Sequence, residues 1–381
     1  MKIIITVNTY YPLTDGVQAV TEYEAEGLAK LGNDVTVVTT KVPGCKTKEK
    51  HEGVNIIRYD IKTQHALYRG DIRGYRNLIL KLCNTADILI NVSTQTATTE
   101  VLFPILKKIK CKKVLYMHGF HDFEWHKFDF ASLSTLMHKV WNNLRWRYDY
   151  LKNANHIKEY DKVIQLHQFV NSTKYFEKKY HITPTIIGNA ADDDFFIKSS
   201  KPSPINERYV ISVANYLKGK NQAFLLNAFY QTKIKDCALV LIGSEKNSYS
   251  DYLENLKKDL DRRYGNRKVY FLSNIPRKDI SVYVQSASIF LMGSKKEIFP
   301  ISIIEAMAAS VPFISTDVGI VRYLPGGAII SSEKDMAFWI DLLLYNSKVA
   351  SDIGRSGKEY AKKHFVEQTN VKKLYSILHS L

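Results

Sequence analysis

The sequence predicts an α/β protein of two Rossmann-like domains, each a doubly wound parallel sheet. Two observations carry this prediction. Short apolar runs alternate with helical patterns along the chain, which is typical of parallel sheets. A segment rich in turn and breaker residues, Ile182 to Pro204, divides the 381-residue chain near its middle, and this length exceeds that of a usual single domain. We therefore expect two lobes with a cleft between them.

The first domain, set at residues 1–190, opens with a βαβ unit. A strand over Ile3 to Val7 leads into a helix over Val17 to Leu31, and a second strand follows Gly32. Apolar runs place the later strands. These strands are Val35 to Thr39, Ile88 to Val92, Val114 to Met117, Val163 to Leu166 and Thr185 to Ile187, with helices at Thr98 to Lys108 and Val170 to Tyr180.

The second domain, set at residues 191–364, repeats the alternation after the breaker segment. Its predicted strands are Tyr209 to Val213, Leu239 to Ile242, Val269 to Leu272 and Ile289 to Met292, with helices at Asn221 to Gln231 and Asp251 to Tyr264. A final helix over 365–381 carries apolar residues at three- and four-residue spacing, so it needs a surface to cover. We expect this helix to lie back on the first domain.

Composition and charge narrow the functional classes. The chain is 45% hydrophobic and 24% charged, which excludes disorder, and its apolar runs are too short to cross a bilayer. No signal-peptide pattern opens the sequence, so we expect a cytoplasmic protein. The four cysteines are far apart, which disfavours both a zinc site and a disulfide framework.

The net charge of +16 predicts an anionic partner. Lys and Arg outnumber Asp and Glu by 27 to 18 in residues 1–190 and by 27 to 20 in the remainder. Because the excess is spread along the chain, we expect no nucleic-acid partner, and an anionic membrane surface at the inner face of the membrane is the alternative. Neither GxGxxG after the first strand nor GxxxxGK[ST] occurs, which disfavours dehydrogenases and P-loop NTPases.

The strongest chemical pattern places two carboxylates eight residues apart. Glu297 lies in a loop, Pro300 suits the first position of a helix, and Glu305 follows one turn later. The N–H groups near Phe299 and Ile301 could then bind a diphosphate at the helix N-terminus. Carboxylates suit sugar and ribose hydroxyls, although the spacing alone also fits two solvated glutamates beside an amphipathic helix.

This stretch resembles the E-x7-E signature of the retaining glycosyltransferases of family 4. The correspondence runs from Glu297 through Glu305-Ala-Met-Ala-Ala to Pro312. Ile298 and Ser310 stand where the family usually has glycine. The resemblance assigns Glu297 to the donor sugar and Glu305 to the ribose.

A second segment, Ser212 to Asn221, resembles the family's donor-phosphate motif. The resemblance implies that Lys220 neutralises the diphosphate as it leaves, which is electrostatic stabilisation of developing charge. Asn215 stands where the family has an arginine, and Lys218 could substitute for that missing cation.

Two segments of the first domain also resemble family motifs. Gly16 retains one of two family glycines that let the backbone approach the donor phosphates, while Asp15 replaces the other. His118 follows a strand, where ligands of open α/β sheets gather, and the resemblance implies that it faces the donor sugar. Two alternatives are a metal site formed with His121, Asp122, Glu124 and His126, and a polar loop with no catalytic role. The spacing matches no standard metal motif, so we expect no metal.

The segment Lys139 to Lys152 interleaves basic and aromatic residues on a helical pattern. Val140, Leu144, Tyr148 and Leu151 share one face. We interpret this segment as a core helix with a basic outer face, and the alternative is a helix that rests on an anionic membrane.

Together, the resemblance implies a GT-B fold and a glycosyltransferase without a cofactor or metal. It would move a hexose-type sugar, with retention, from a nucleoside-diphosphate sugar, most simply a UDP-sugar, to a glycan or lipid-linked acceptor in cell-surface polysaccharide or glycoconjugate synthesis. Two alternatives stay open, namely a non-catalytic donor-binding subunit of a transferase pair and a GT-B sugar-nucleotide epimerase.

Overall fold

A computed structural model describes residues 1–13, 16–64, 67–121 and 123–381. The chain forms two compact units. The first unit comprises Met1–Gly188 together with Asn370–Leu381, and the second comprises Asn189–Thr369. Both units are α/β with doubly wound sheets, so the predicted fold class is confirmed.

The first unit contains an eight-stranded sheet. Its strands are β1 (Lys2–Thr6), β2 (Asp34–Thr40), β3 (Lys48–His51), β4 (Val54–Tyr59), β7 (Ile88–Val92), β8 (Lys112–Met117), β9 (Lys162–Gln165) and β10 (Thr185–Ile186), and a separate hairpin comprises β5 (Ile61–Gln64) and β6 (Leu67–Gly70). The sheet order is β10-β9-β8-β7-β1-β2-β4-β3, and every pairing is parallel except β3 with β4. The apolar runs in β1, β7 and β8 form its buried centre, as expected for parallel strands covered on both faces.

Helices flank this sheet. They are α1 (Gly16–Lys30), α2 (Ile72–Cys83), α3 (Ala97–Glu100), α4 (Leu133–Ile157), α5 (Asn171–Tyr175) and the end of α13 (Glu367–His379). The Asn370 amide donates to the Gly188 carbonyl at 2.6 Å, and Val371 lies so close to Gly27 that a Cβ there would meet it at 2.5 Å. Residues 370–381 therefore complete the first unit.

The second unit has six parallel strands. They are β11 (Tyr209–Val213), β12 (Ala238–Gly243), β13 (Val269–Ser273), β14 (Ile289–Met292), β15 (Phe313–Thr316) and β16 (Gly327–Ile330). Its helices are α6 (Asp193–Phe196), α7 (Gln222–Gln231), α8 (Ser248–Tyr264), α9 (Arg277–Gln285), α10 (Ile301–Ala308), α11 (Glu333–Tyr345) and α12 (Ser347–His364). The strand order is β13-β12-β11-β14-β15-β16. The order reverses between β11 and β14, and ligands of open α/β sheets bind at the carboxyl ends of strands on either side of such a reversal.

The interpretation of residues 139–152 as a core helix is wrong. Its predicted core face, Val140, Leu144, Tyr148 and Leu151, is exposed, and α4 instead buries Asn143, Tyr150 and Ile157. The helical period was correct, but it does not identify the face that another element covers. The helix predicted at 98–108 is also interrupted, because Pro104 opens a separate 3₁₀ turn over Phe103–Lys108.

Among the described residues, no helix combines the length and apolar character needed to cross a bilayer.

Candidate functional site

Two loops meet at the sheet reversal of the second unit. One loop follows β11 and leads through Gly219 to α7, and the other follows β14 and leads to α10. The Lys295 amide donates to the Gly219 carbonyl at 2.9 Å, which ties the loops together. The carboxyl ends of parallel strands lie at one edge of the sheet. Lys220 and Glu297, which are 77 positions apart in sequence, are therefore neighbours there.

Lys220 and Glu297 form an ion pair across these loops. The Lys220 Nζ lies 2.7 Å from Glu297 Oε1. Both side chains are partly exposed, so neither charge is sealed in the core. The cation predicted for the donor diphosphate and the carboxylate predicted for the donor sugar thus neutralise each other.

The other two predicted side chains of the first loop point to solvent. Asn215 and Lys218 are exposed, and no ion pair involves Lys218 in the described residues. Gln222, buried at the start of α7, donates to the carbonyls of Ala214 (3.2 Å) and Asn215 (3.0 Å). The backbone of this loop is therefore fixed, while Lys218 remains available to a ligand.

The N-terminus of α10 forms the third side of this site. Phe299 and Pro300 are buried, and Ile301 is the first helical residue. Pro300 was predicted at the first helical position but occupies the N-cap, because its ψ of 114° is extended. A proline has no side-chain acceptor for the free N–H groups of the first turn, and no side-chain cap is present at this end. Those N–H groups and the helix dipole suit an anion.

Gly319 supports the Glu297 loop from behind, and the sequence reasoning did not identify it as a site residue. The Ile320 amide donates to the Ile298 carbonyl at 3.1 Å. Gly319 has a φ of +54°, and a Cβ there would lie 2.2 Å from the Ile298 oxygen. Only glycine combines this conformation with so close an approach of two backbone segments.

Glu305 is buried, with 2% of its surface exposed, and it forms an ion pair with Arg277 at the start of α9. The guanidinium is half-exposed and also lies over the Phe195 ring at 5.4 Å. Sequence reasoning did not identify Arg277, because it precedes Glu305 by 28 residues and belongs to neither of the two motifs of this unit.

Glu367 extends this charged cluster. Burial, together with the nearby carboxylates of Asp192 and Asp193, raises the pKa of Glu367 to about 8, although Arg277 opposes the shift. The carboxylate of Glu305 also raises the pKa of Glu367, and Glu367 therefore changes its charge near pH 8.

In the first unit, His118 follows β8 and is almost completely buried. Its ring stacks on Tyr116, with centroids 4.6 Å apart. Burial lowers the pKa of His118 to about 4, so the imidazole is neutral at physiological pH. Within the described part of the chain, its Nε2 has no hydrogen-bond partner. An unpaired buried nitrogen is costly, so this atom is suited to a ligand.

Gly16 is exposed and begins α1, while Asp15 lies outside the described residues. The histidine-rich segment after β8 has other partners: His121 Nε2 lies 2.9 Å from Asn143 Oδ1, and Glu124 accepts from Asn171 at 2.8 Å.

Asp122, the remaining acid of the metal alternative, lies outside the described residues. In the described residues, a different set of side chains meets the distance criterion for a metal site. The ligand atoms of Glu22, Glu26 and His51 lie within 4.8 Å of one another.

Comparison with known proteins identifies a family match in the second unit and a similar protein over most of the chain. Residues 193–359, which form most of the second unit, match the family model described as glycosyl transferases group 1. The α-monoglucosyldiacylglycerol synthase of Acholeplasma laidlawii is 23% identical over 336 residues, covering 82% of this chain and 80% of that protein.

Solved structures share the fold over both units. Sucrose-phosphate synthase from Thermosynechococcus elongatus matches with a TM-score of 0.77 at 17% identity, covering 100% of this chain and 98% of that one. Anabaena HepE in complex with UDP and glucose matches with a TM-score of 0.73 at 18% identity, covering 100% of both chains. The fold predicted by resemblance, GT-B, is therefore confirmed.

Proposed function

We propose that this chain, a GT4-like glycosyltransferase of the GT-B fold, transfers a hexose-type sugar from a UDP-sugar to a glycan or lipid-linked acceptor with retention of anomeric configuration. The observation that carries the proposal is the Lys220–Glu297 ion pair at the sheet reversal, beside the uncapped start of α10. HepE, which shares the fold, is solved with UDP-glucose, and this supports a uridine donor.

Donor binding would exchange the partners of this ion pair. Lys220 would move from Glu297 to the diphosphate, and the N–H groups at Ile301 would donate to the same phosphates. Glu297 would then accept hydrogen bonds from the sugar hydroxyls. Lys218 is the available cation nearest in sequence to Asn215, so we assign it the role of the missing arginine.

The transfer step needs stabilisation of the leaving group. The bond between the anomeric carbon and the diphosphate oxygen breaks, and its electron pair leaves with the diphosphate. The acceptor oxygen forms the new bond on the same face, and its proton passes to the departing phosphate. Lys220 and the helix start stabilise the negative charge that develops, so we propose that no metal ion is required.

We assign His118 to the substrate as a neutral hydrogen-bonding group. Its unpaired Nε2 and its pKa of about 4 are consistent with contact to a sugar hydroxyl rather than to a phosphate. Gly16, at the start of α1 in the first unit, is assigned to the donor phosphates on the motif alone.

The acceptor is proposed from the relatives. The Acholeplasma laidlawii protein is named for a glucosylated diacylglycerol, which supports a lipid-linked acceptor. With such an acceptor we propose a cytoplasmic enzyme at the inner face of the membrane.

The decisive experiment measures binding first and transfer second. A thermal-shift screen against UDP-, GDP-, ADP- and dTDP-sugars identifies the donor, since a ligand of the native state raises Tm. Transfer is then followed by NMR, which reports the anomeric configuration of the product, with and without EDTA. An inverted product would overturn retention, and loss of rate in EDTA would overturn metal independence.

The same assays separate the two other candidates. A donor-binding subunit raises its Tm with a UDP-sugar but gives neither transfer nor hydrolysis. An epimerase converts the donor without any acceptor, whereas the proposed transferase depends on acceptor concentration.

A further inference from the structure

We propose that the exposed face of α4 is a membrane-docking surface that binds anionic phospholipid. This face, the α4 stripe, consists of seven apolar residues that lie within about 100° of one another around the helix, at 100° per residue. The residues are Leu133, Met137, Val140, Trp141, Leu144, Tyr148 and Leu151, each between 41% and 72% exposed.

The α4 stripe is a continuous apolar surface and not a set of isolated exposed apolar residues. Its ends, Leu133 and Leu151, are about 27 Å apart at 1.5 Å per residue. The opposite face of the same helix is anchored to the first unit through Tyr150, whose hydroxyl hydrogen-bonds to Gln95 and to the His121 amide. Soluble proteins rarely leave a contiguous apolar patch of this kind without a partner.

The aromatic content favours a lipid interface. Trp141 and Tyr148 lie within the stripe, and such amphipathic rings are preferred at the level of lipid headgroups. Trp125 and Phe130, both exposed, contact each other with centroids 5.6 Å apart. They belong to the segment that is tied to the start of α4 by a hydrogen bond from Thr135 to the Asp129 carbonyl.

The positive charge of α4 indicates that the membrane it binds contains anionic lipid. The helix carries four basic residues against one acidic residue, Asp149; the basic ones are Lys139, Arg145, Arg147 and Lys152. By helical position, Arg145 and Lys152 flank one margin of the stripe, and Arg147 flanks the other. A surface with an apolar centre and cationic margins matches the interface of a bilayer that contains anionic lipid.

A second copy of the chain fits this surface less well. A dimer formed through the stripe would bring together two chains that each carry a net charge of +16, and this like charge opposes their association.

The test is co-sedimentation with vesicles that contain neither donor nor acceptor, so it can fail independently of the proposed sugar transfer. Vesicles of phosphatidylcholine with about 30 mol% phosphatidylglycerol place anionic headgroups on the surface. We expect the full chain to bind these vesicles, to bind pure phosphatidylcholine at least tenfold more weakly, and to lose affinity as NaCl is raised.

The stripe is probed with Leu144→Glu, and Phe338→Glu is the matched control in the second unit. Leu144 is 60% exposed and Phe338 is 62% exposed, so both changes spare the core. Leu144→Glu should lower vesicle affinity at least tenfold, and Phe338→Glu should leave it unchanged, with equal circular dichroism for all three proteins. The proposal is overturned if the unaltered chain ignores anionic vesicles, if Leu144→Glu binds equally well, or if light scattering shows a dimer that Leu144→Glu dissociates.

Discussion

Replacing Gly319 with alanine tests whether the loop that carries Glu297 must be held in place for sugar transfer. An alanine Cβ would lie 2.2 Å from the Ile298 carbonyl oxygen and 2.9 Å from that of Glu297. Ordinary contact begins at 3.4 Å, so the loop must move by about 1 Å to relieve the overlap.

The magnitude follows from two costs. The left-handed conformation of residue 319 costs a non-glycine residue about 1–2 kcal/mol, and an added methyl group in a packed site costs about 1–3 kcal/mol. We therefore expect Gly319→Ala to lose about 2–5 kcal/mol of unfolding free energy. A displacement of about 1 Å at a catalytic group lowers a rate by about 10²-fold, so kcat should fall by that factor in the folded variant.

Gly32→Ala is the matched control. Gly32 follows α1 with a φ of +86°, but nothing lies within 4 Å of a Cβ built there. It carries the conformational strain without the overlap, so this variant should lose about 1–2 kcal/mol and retain full kcat. Thermal unfolding and initial rates of sugar transfer measure both effects. If Gly319→Ala retains the kcat and Tm of Gly32→Ala, the loop does not need this glycine and the reasoning fails.

The remaining predictions concern the charged pairs of the second unit. Lys220→Met should lower kcat/KM for the UDP-sugar by about 10²–10³-fold, as loss of one oxyanion-stabilising group does elsewhere, and a change below tenfold would exclude its role. Glu297→Gln should strengthen UDP binding while weakening that of the UDP-sugar, and calorimetry measures both. Arg277→Met should cost about 2–3 kcal/mol, less than for a fully buried pair because the guanidinium is half-exposed; adding Glu305→Gln should recover part of the loss, and an additive loss would contradict the pairing. The raised pKa of Glu367, about 8 against an ordinary 4.5, means that its stabilising contribution is complete below about pH 4.5 and is lost as pH rises through 8. Glu367→Gln should flatten this fall in Tm between pH 5 and 8, and an unchanged pH profile would refute it.

Sequence patterns located the central elements because those elements are defined by their own residues. The strands Ile88–Val92, Tyr209–Val213 and Ile289–Met292 occur where predicted, since each is a short and largely apolar run that is buried on both faces of its sheet. By contrast, β3 consists of Lys48–His51 and lies at the sheet edge. Its residues are polar and form a strand because they pair with β4, so no apolar pattern predicted it.

The sequence predicted those site residues that belong to a recognisable motif. Lys220 and Glu297 were selected separately, and only the strand order shows that they form one ion pair. Arg277 and Gly319 were missed for the same reason. Arg277 is defined by its contact with Glu305, and Gly319 by its approach to Ile298. A glycine that lies behind a loop looks in sequence like any turn glycine.

Tertiary contact also decides which conformations are tolerated. Ser310 stands where the family usually has glycine and adopts a φ of +63°, so the left-handed turn persists without glycine. The Val311 amide donates to the Ala306 carbonyl at 2.9 Å, which closes the end of α10 in the manner of a helix C-cap. Serine at position 310 is therefore compatible with the left-handed turn that closes the end of α10.

The charge balance at the start of α10 favours the intact UDP-sugar that we propose as donor over UDP alone. Lys220 and Glu297 cancel as a pair, and the helix N-terminus adds only about half a positive charge. With Asn215 in place of an arginine, a diphosphate that takes Lys220 leaves Glu297 as an unpaired carboxylate close to the phosphates. Sugar hydroxyls can satisfy that carboxylate, whereas free UDP has none at this position. The site thus gains most from a ligand that presents an anion and a neutral polyol side by side, which is the composition of the proposed donor before transfer.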